Sequence, residues 1–394
     1  MWYKTGSSRS VPLGAGKRGF HMAGMTIRGK MDSSAGFTTG FDYLRIVLSL
    51  GVVVWHSVSY AGNAELAKYL WTGDLRFLGG VILPAFFALS GFLVAGSLFR
   101  TRLGQFVSLR VIRLVPALAV EVFLSAFVLG AIFTTLPLGQ YFTHPEFGWY
   151  LLNVFGIVHF TLPGVFQGNP GGPWVNDQLW TIPFELECYL AIVVLSLSRV
   201  LKARTLFLGV VVALSVGLTV WCVATDAIPI SGKVPGRVLV VCFLAAVSLY
   251  LYRDVIPYSH ALGATSLVVL CVLVNFPNLS YLAAFPAAYA VVWLGMMSPP
   301  KIPFGDLSYG VYLFHLPVEQ TVMKLMPSIH AWWELSLIAL PLIGLCAWLS
   351  WTFVEQPVLA RKWKIIGSIE AIASRARATL RKAPGGAPGR TELD

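Results

Sequence analysis

Ten stretches of about 20 mostly apolar residues fill roughly half of this 394-residue chain: 41–61, 77–99, 114–134, 178–198, 205–224, 237–252, 260–276, 279–297, 306–326 and 332–354. A run of that length has few folds open to it. Lipid offers no hydrogen bonds, so a polypeptide crossing it must satisfy its own backbone, as a helix does. Only 12% of the residues are charged and 56% are hydrophobic, with a mean hydropathy of +0.72; this is about half the charge of an ordinary soluble domain. The expected fold is therefore all-α, a polytopic membrane protein with about ten transmembrane helices. The same composition argues against a soluble globular enzyme, and no low-complexity tract or heptad seam points to disorder, collagen or a coiled coil. Segments 237–252 and 260–276 are short for a span, and Pro84, Pro183, Pro286, Pro317 and Pro341 fall inside predicted helices, where local kinks are expected.

The net charge of +11 reports orientation rather than a nucleic-acid partner. With the N-terminus in the cytoplasm, 23 basic residues fall on the inner side and five on the outer, namely Lys68, Arg76, Lys233, Arg237 and Lys324. An odd number of spans would invert the later loops and destroy that bias, so both termini are expected to be cytoplasmic and loop 135–177 external. Residues 1–40, rich in Gly, Ser, Lys and Arg, read as a disordered basic cytoplasmic extension without a signal-peptide core. Residues 359–394 read as a basic cytoplasmic tail. The tail opens on Trp363, Ile365, Ile366, Ile369 and Ile372, a pattern suited to a helix lying on an anionic leaflet, with disorder expected after Pro384. Five cysteines stand singly in apolar segments, so neither a disulfide framework nor a metal site is expected.

Ionisable residues inside a bilayer are costly and mark function by default. Asp42, Arg45 and His56 lie in the first span. The interval of eleven residues from Arg45 to His56 returns to within about 20° of the same helix face, ~16 Å further along. Glu185 and Glu187 open the fourth span. They point about 200° apart, so one of them is expected to face a shared cavity, and Glu185 lies at about the depth of His56. A carboxylate and a histidine at one depth form a candidate acid/base pair. Arg110 and Arg113, read as part of the second inner loop, are adjacent on a helix and suit bidentate phosphate binding. Tyr309, Tyr312, His315 and Glu319 belong to the ninth span, where the last three share a face; Glu121 stands alone in the third.

Taken in order, these segments resemble the membrane-bound acyltransferase-3 family. Phe41-Asp42-Tyr43-Leu44-Arg45 with His56 matches its Arg, ten residues, His pattern, and Arg110-Val111-Ile112-Arg113 its inner-loop RxxR. Leu179 to Glu185, Leu307 to His315 and Trp351 to Pro357 match its later blocks. The resemblance covers residues 41–358. Residues 1–40 have no counterpart, and the extracytoplasmic hydrolase-like domain of some members is not expected.

The resemblance implies an O-acyltransferase of a bacterial inner membrane, with cytoplasmic acetyl-coenzyme A as donor and a glycan or similar hydroxylated acceptor; lipids surround it, and no metal or nucleic acid takes part. It implies that Arg110 and Arg113 hold the donor phosphates, that Arg45 lies on the route of the thioester, and that His56 acts with Glu185. His56 is then either a general base or an acyl carrier. Asp42, Tyr309, Tyr312 and His315 are further cavity candidates. The competing class is a secondary transporter or flippase using the same buried residues as a proton relay; no half-to-half repeat supports it.

Overall fold

A computed structural model describes residues 25–34, 38–61, 64–228 and 234–382. A short α1 (Ile27–Ser33) precedes α2 (Gly40–Tyr60), α3 (Phe77–Leu98), α4 (Leu103–Phe133), α5 (Asp177–Leu197) and α6 (Arg204–Thr225). Three shorter apolar helices follow, α7 (Gly236–Leu251), α8 (His260–Asn275) and α9 (Ala284–Gly295). The chain then forms α10 (Ser308–Leu325), α11 (Trp332–Ala360) and α12 (Lys362–Lys382). Among the described residues there are no strands, and six helices, α2 to α6 and α11, are long and apolar enough to cross a membrane.

Close approach between helices depends on small residues, because lipid supplies no hydrophobic drive to press helices together. A Cβ on Gly91 would fall 2.2 Å from the Phe243 carbonyl oxygen, so α3 and α7 touch through backbone. Gly310 gives α10 the same access to Ala347 of α11. The pairings also fix directions. Arg45 meets Asp306 and, further along both helices, His56 meets His315, so α2 and α10 run parallel. Gly40 abuts Leu294, which sets α9 antiparallel to α2.

Two differences from the sequence reading are the largest. Helix α4 begins eleven residues before the predicted span, so Arg110 and Arg113 lie within a helix and not on a loop. The cause is an apolar stripe: Phe106, Leu109 and Ile112, spaced by three, are buried, the last two against Ile366 of α12. Residues 25–34 also depart from the expected disordered extension. The Thr26 hydroxyl caps α1 by accepting from the Gly29 amide at 3.1 Å, Ile27 is buried, and the Ile27 and Tyr258 amides donate across to Ile256 and Met25. Residues 1–24 of that extension, and the segment after Pro384, lie outside the described residues. In the tail, α12 is helical with Trp363, Ile369 and Ile372 exposed. Helices α4 and α11 each contain a π-helical stretch, Leu124–Leu129 and Trp351–Glu355, a form that recurs at functional positions.

Candidate active site

Helices α2 and α10 meet at three heights. At the lowest, Arg45 Nη1 donates to Asp42 Oδ1 at 3.0 Å and to Asp306 Oδ2 at 3.3 Å. At mid-height, His56 Nδ1 lies 2.5 Å from His315 Nε2, with the ring planes within 14° of parallel and the centroids 4.8 Å apart. Just above, Ser57 Oγ donates to Glu319 Oε1 at 2.7 Å, locking the two helices beside the histidines.

Asp306 is the hub of the lower level. It accepts from Arg113 Nη2 at 2.6 Å as well as from Arg45, and the Ser308 hydroxyl donates to its second oxygen. Glu355, delivered by the π-helical stretch of α11, lies 3.8 Å from Arg113 and accepts from Ser350. Arg113 is therefore committed within the protein. Arg110 is not: its guanidinium lies over the Phe106 and Tyr189 rings, with one long contact of 3.5 Å to Ser97 Oγ and its Nε buried without a partner. It sits in a groove of about 220 Å³ between α4 and α5 whose other walls are apolar or aromatic.

Glu185 accepts from the Tyr189 hydroxyl one turn along α5. It lies within electrostatic reach of Arg110, Arg113, Tyr309 and Tyr312. Tyr309 donates to the Leu114 carbonyl at 2.9 Å. Glu187, on the opposite face, pairs with Arg237 of α7. Glu185 is thus the inward carboxylate of the two, but the ring against His56 is His315.

A cavity of about 400 Å³ occupies the His56 end. His56 and Tyr60 of α2, Asp177 and Trp180 of α5, and Tyr312 of α10 line it together with Trp71 and Trp174. Tyr60 donates to Asp177 Oδ2 at 2.7 Å. Tyr312 donates its one hydrogen to the Gln178 carbonyl, so the 2.6 Å contact with Thr181 is a bond donated by the threonine.

The loop roofing this end is tied down by buried amides. Asn176 donates to both carboxylate oxygens of Glu121, at 3.0 and 3.1 Å, and to Tyr150; Ser125 donates to the same glutamate at 2.6 Å. Asn169 donates to Gln320 on α10. Glu121, unassigned in the sequence, is the anchor of this loop. Asn176→Ala should lower stability by about 2–3 kcal/mol, because it leaves a buried carboxylate short of its donors. Thermal unfolding in detergent measures this, and an unchanged Tm would remove Glu121 from that role.

Residues 38–355 match the acyltransferase domain family. The chain is a member of that family. Among curated relatives, the O-acetyl transferase of Shigella phage Sf6 is 25% identical over 349 residues, covering 82% of this chain and 96% of its own. Nodulation protein 10 of Rhizobium leguminosarum bv. viciae is 27% identical over 373 residues, covering 87% and 99% respectively. No solved structure matches the chain. With six spanning-length apolar helices, this acyltransferase is a multi-pass membrane protein.

The acyltransferase fold brings Asp42, Arg45 and Arg113 together through Asp306, and His56 together with His315. It sets Glu185, Tyr309 and Tyr312 between those two groups, and leaves Arg110 at the edge in its groove. Residues passed over in the sequence complete both ends: Asp306 and Glu355 below, Asp177, Ser57 and Tyr60 above. Asp306 opens the predicted ninth span, immediately before the Leu307 to His315 block, and Glu319 shares the His315 face; nothing local distinguishes Asp177 from an ordinary loop acid.

Proposed function

We propose that this membrane protein is an O-acyltransferase that takes an acyl group, acetyl by preference, from cytoplasmic acyl-coenzyme A and delivers it to a hydroxyl of a glycan or related acceptor in the His56 cavity. The observation that carries this is a histidine in the wall of an aromatic cavity, on a chain of acyltransferase lineage. Tryptophan and tyrosine rings suit the apolar faces of sugar rings, and Asp177 can accept from sugar hydroxyls. The name of the phage relative supports acetyl as the group.

The topology that fits is ten spans with the Arg45 end cytoplasmic, in a bacterial inner membrane. Because α2 and α10 run parallel, an odd number of crossings separates them. Helices α3 to α6 supply four, so the short helices α7, α8 and α9 must cross as well, singly or all together; all three give ten spans and match the basic residues.

Donor phosphates would meet Arg110 at the cytoplasmic end, and the pantetheine arm would pass Glu185 towards the cavity, with Arg45 and Arg113 shaping the path through Asp306. In the cavity, His56 takes the acceptor proton; the oxygen attacks the thioester carbon, the carbon–sulfur bond breaks, and the proton leaves with the thiol. Arg110→Ala should weaken donor binding by about 1.5–3 kcal/mol, the worth of one charge-assisted contact, with the fold intact. Titration of purified variants with acyl-coenzyme A measures it, and unchanged affinity would reduce Arg110 to an anchor. The acceptor is tested by mass spectrometry of surface and secreted glycans with and without the gene; identical acylation in both would defeat this function.

A further inference from the structure

His315 Nδ1 lies 2.7 Å from the Tyr312 carbonyl oxygen, one turn earlier on α10. A carbonyl oxygen only accepts, so that nitrogen carries the hydrogen. Neutral His315 then has its lone pair at Nε2, and Nε2 is the atom 2.5 Å from His56 Nδ1. The hydrogen of that contact therefore belongs to His56, whose own lone pair is left at Nε2. The two rings also differ in setting: His56 is in the cavity wall, whereas His315 is fully buried behind it. The adjacent Ser57–Glu319 bond holds α2 against α10, so the spacing of the rings is fixed by the helices and not by the rings alone.

We propose that His315 is the positioning residue for His56: anchored by the Tyr312 carbonyl, it accepts the His56 Nδ1 hydrogen and holds the ring in the tautomer whose Nε2 takes up the acceptor proton. This rests on the reading of His56 as general base. It gives His315 the part a carboxylate plays in a Ser-His-Asp triad, where the orienting group fixes the tautomer without itself reacting. During transfer the proton moves from the acceptor hydroxyl to His56 Nε2 and then to the departing sulfur. His315 keeps its proton throughout and stabilises the imidazolium through one hydrogen bond.

Two measurements on the full-length protein in lipid nanodiscs test this. Histidine-selective 15N NMR resolves tautomers, and with seven histidines in the chain the His56 signals can be assigned from their loss in His56→Gln. The expected result is a neutral His56 protonated at Nδ1, switching towards Nε2 in His315→Leu. A wild-type His56 protonated at Nε2 would overturn the proposal, whatever the protein catalyses. In parallel, His315→Leu should lower kcat by about 10²–10⁴-fold with KM for donor and acceptor nearly unchanged. His315→Gln, which can both accept from His56 and donate to Tyr312, should recover a large part of that loss. Equal kcat in wild type and His315→Leu would overturn the proposal, as would a His315→Gln no better than His315→Leu. If the leucine variant does not fold, the wild-type tautomer and the glutamine variant decide the question. A wild-type protein with the expected tautomer but no acyl transfer would overturn the assigned activity while leaving the hydrogen-bond assignment in place.

Discussion

His56→Ala is expected to abolish acyl transfer, by about 10²–10⁴-fold, in a protein that still inserts and still binds donor. The size of the effect follows from position. His56 is the histidine in the cavity wall, it is backed by His315, and it shares a helix face with Arg45. Packing loss alone does not imitate this result, because the alanine lies beside an existing cavity and the Ser57–Glu319 bond next to it remains. Transfer of labelled acyl groups in proteoliposomes, with thermal unfolding as the control for folding, gives the comparison. Acylation surviving in a well-folded His56→Ala protein would remove the histidine from the chemistry and leave the cavity as a binding site alone.

Asp306→Ala should be the most damaging substitution for the fold. The Asp306 side chain is 16% exposed and accepts from both Arg45 and Arg113. Its loss strands two part-buried guanidinium groups, leaving Asp42 at one and the more distant Glu355 at the other. Removing one member of a buried ion pair costs about 3–5 kcal/mol; the arginines here keep 28% and 29% exposure, which places the expectation at the lower end, about 3 kcal/mol. The readout is the yield and Tm of purified protein. Asp306→Glu, which keeps the charge, should retain most of both, and a fully stable Asp306→Ala would show that the cluster is held by something other than its charges.

Much of this architecture was legible because it is written in local periodicity. Long apolar runs mark helices whatever they pack against, and the eleven-residue interval from Arg45 to His56 places the pair on one stripe before any partner is known. What the periodicity does not contain is azimuth between helices. Depth pairs Glu185 with His56 on one coordinate of three; the structure gives Glu185 a tyrosine and His56 a histidine, because α10 supplies the neighbour at His56 and α5 meets that face of α2 one turn further on, at Tyr60. The start of α4 was obscured for a related reason. Arg110 and Arg113 read as part of the inner loop before the third span until the buried stripe of Phe106, Leu109 and Ile112 shows that the helix already starts ahead of them. Residues 25–34 gave no periodic signal since their stability comes from partners near residue 256, far along the chain.

The polarity of α10 bears on how the protein is made. This helix has 18 residues yet falls outside the set apolar enough to cross a membrane unaided, since it carries His315, Glu319, Gln320 and Lys324. Emerging from a translocon alone, it would expose those groups to lipid at a cost of up to about 2.5–3.5 kcal/mol for each charged one. His315 and Glu319 are met by His56 and Ser57 of α2, synthesised long before, and Gln320 and Lys324 by Asn169 and the Gln167 carbonyl of the loop before α5. In the ten-span topology proposed above, membrane integration of α10 is not a step that precedes folding but a part of it: Ser57 of α2 is already in place to bond Glu319, and α11, translated next, packs on Gly310.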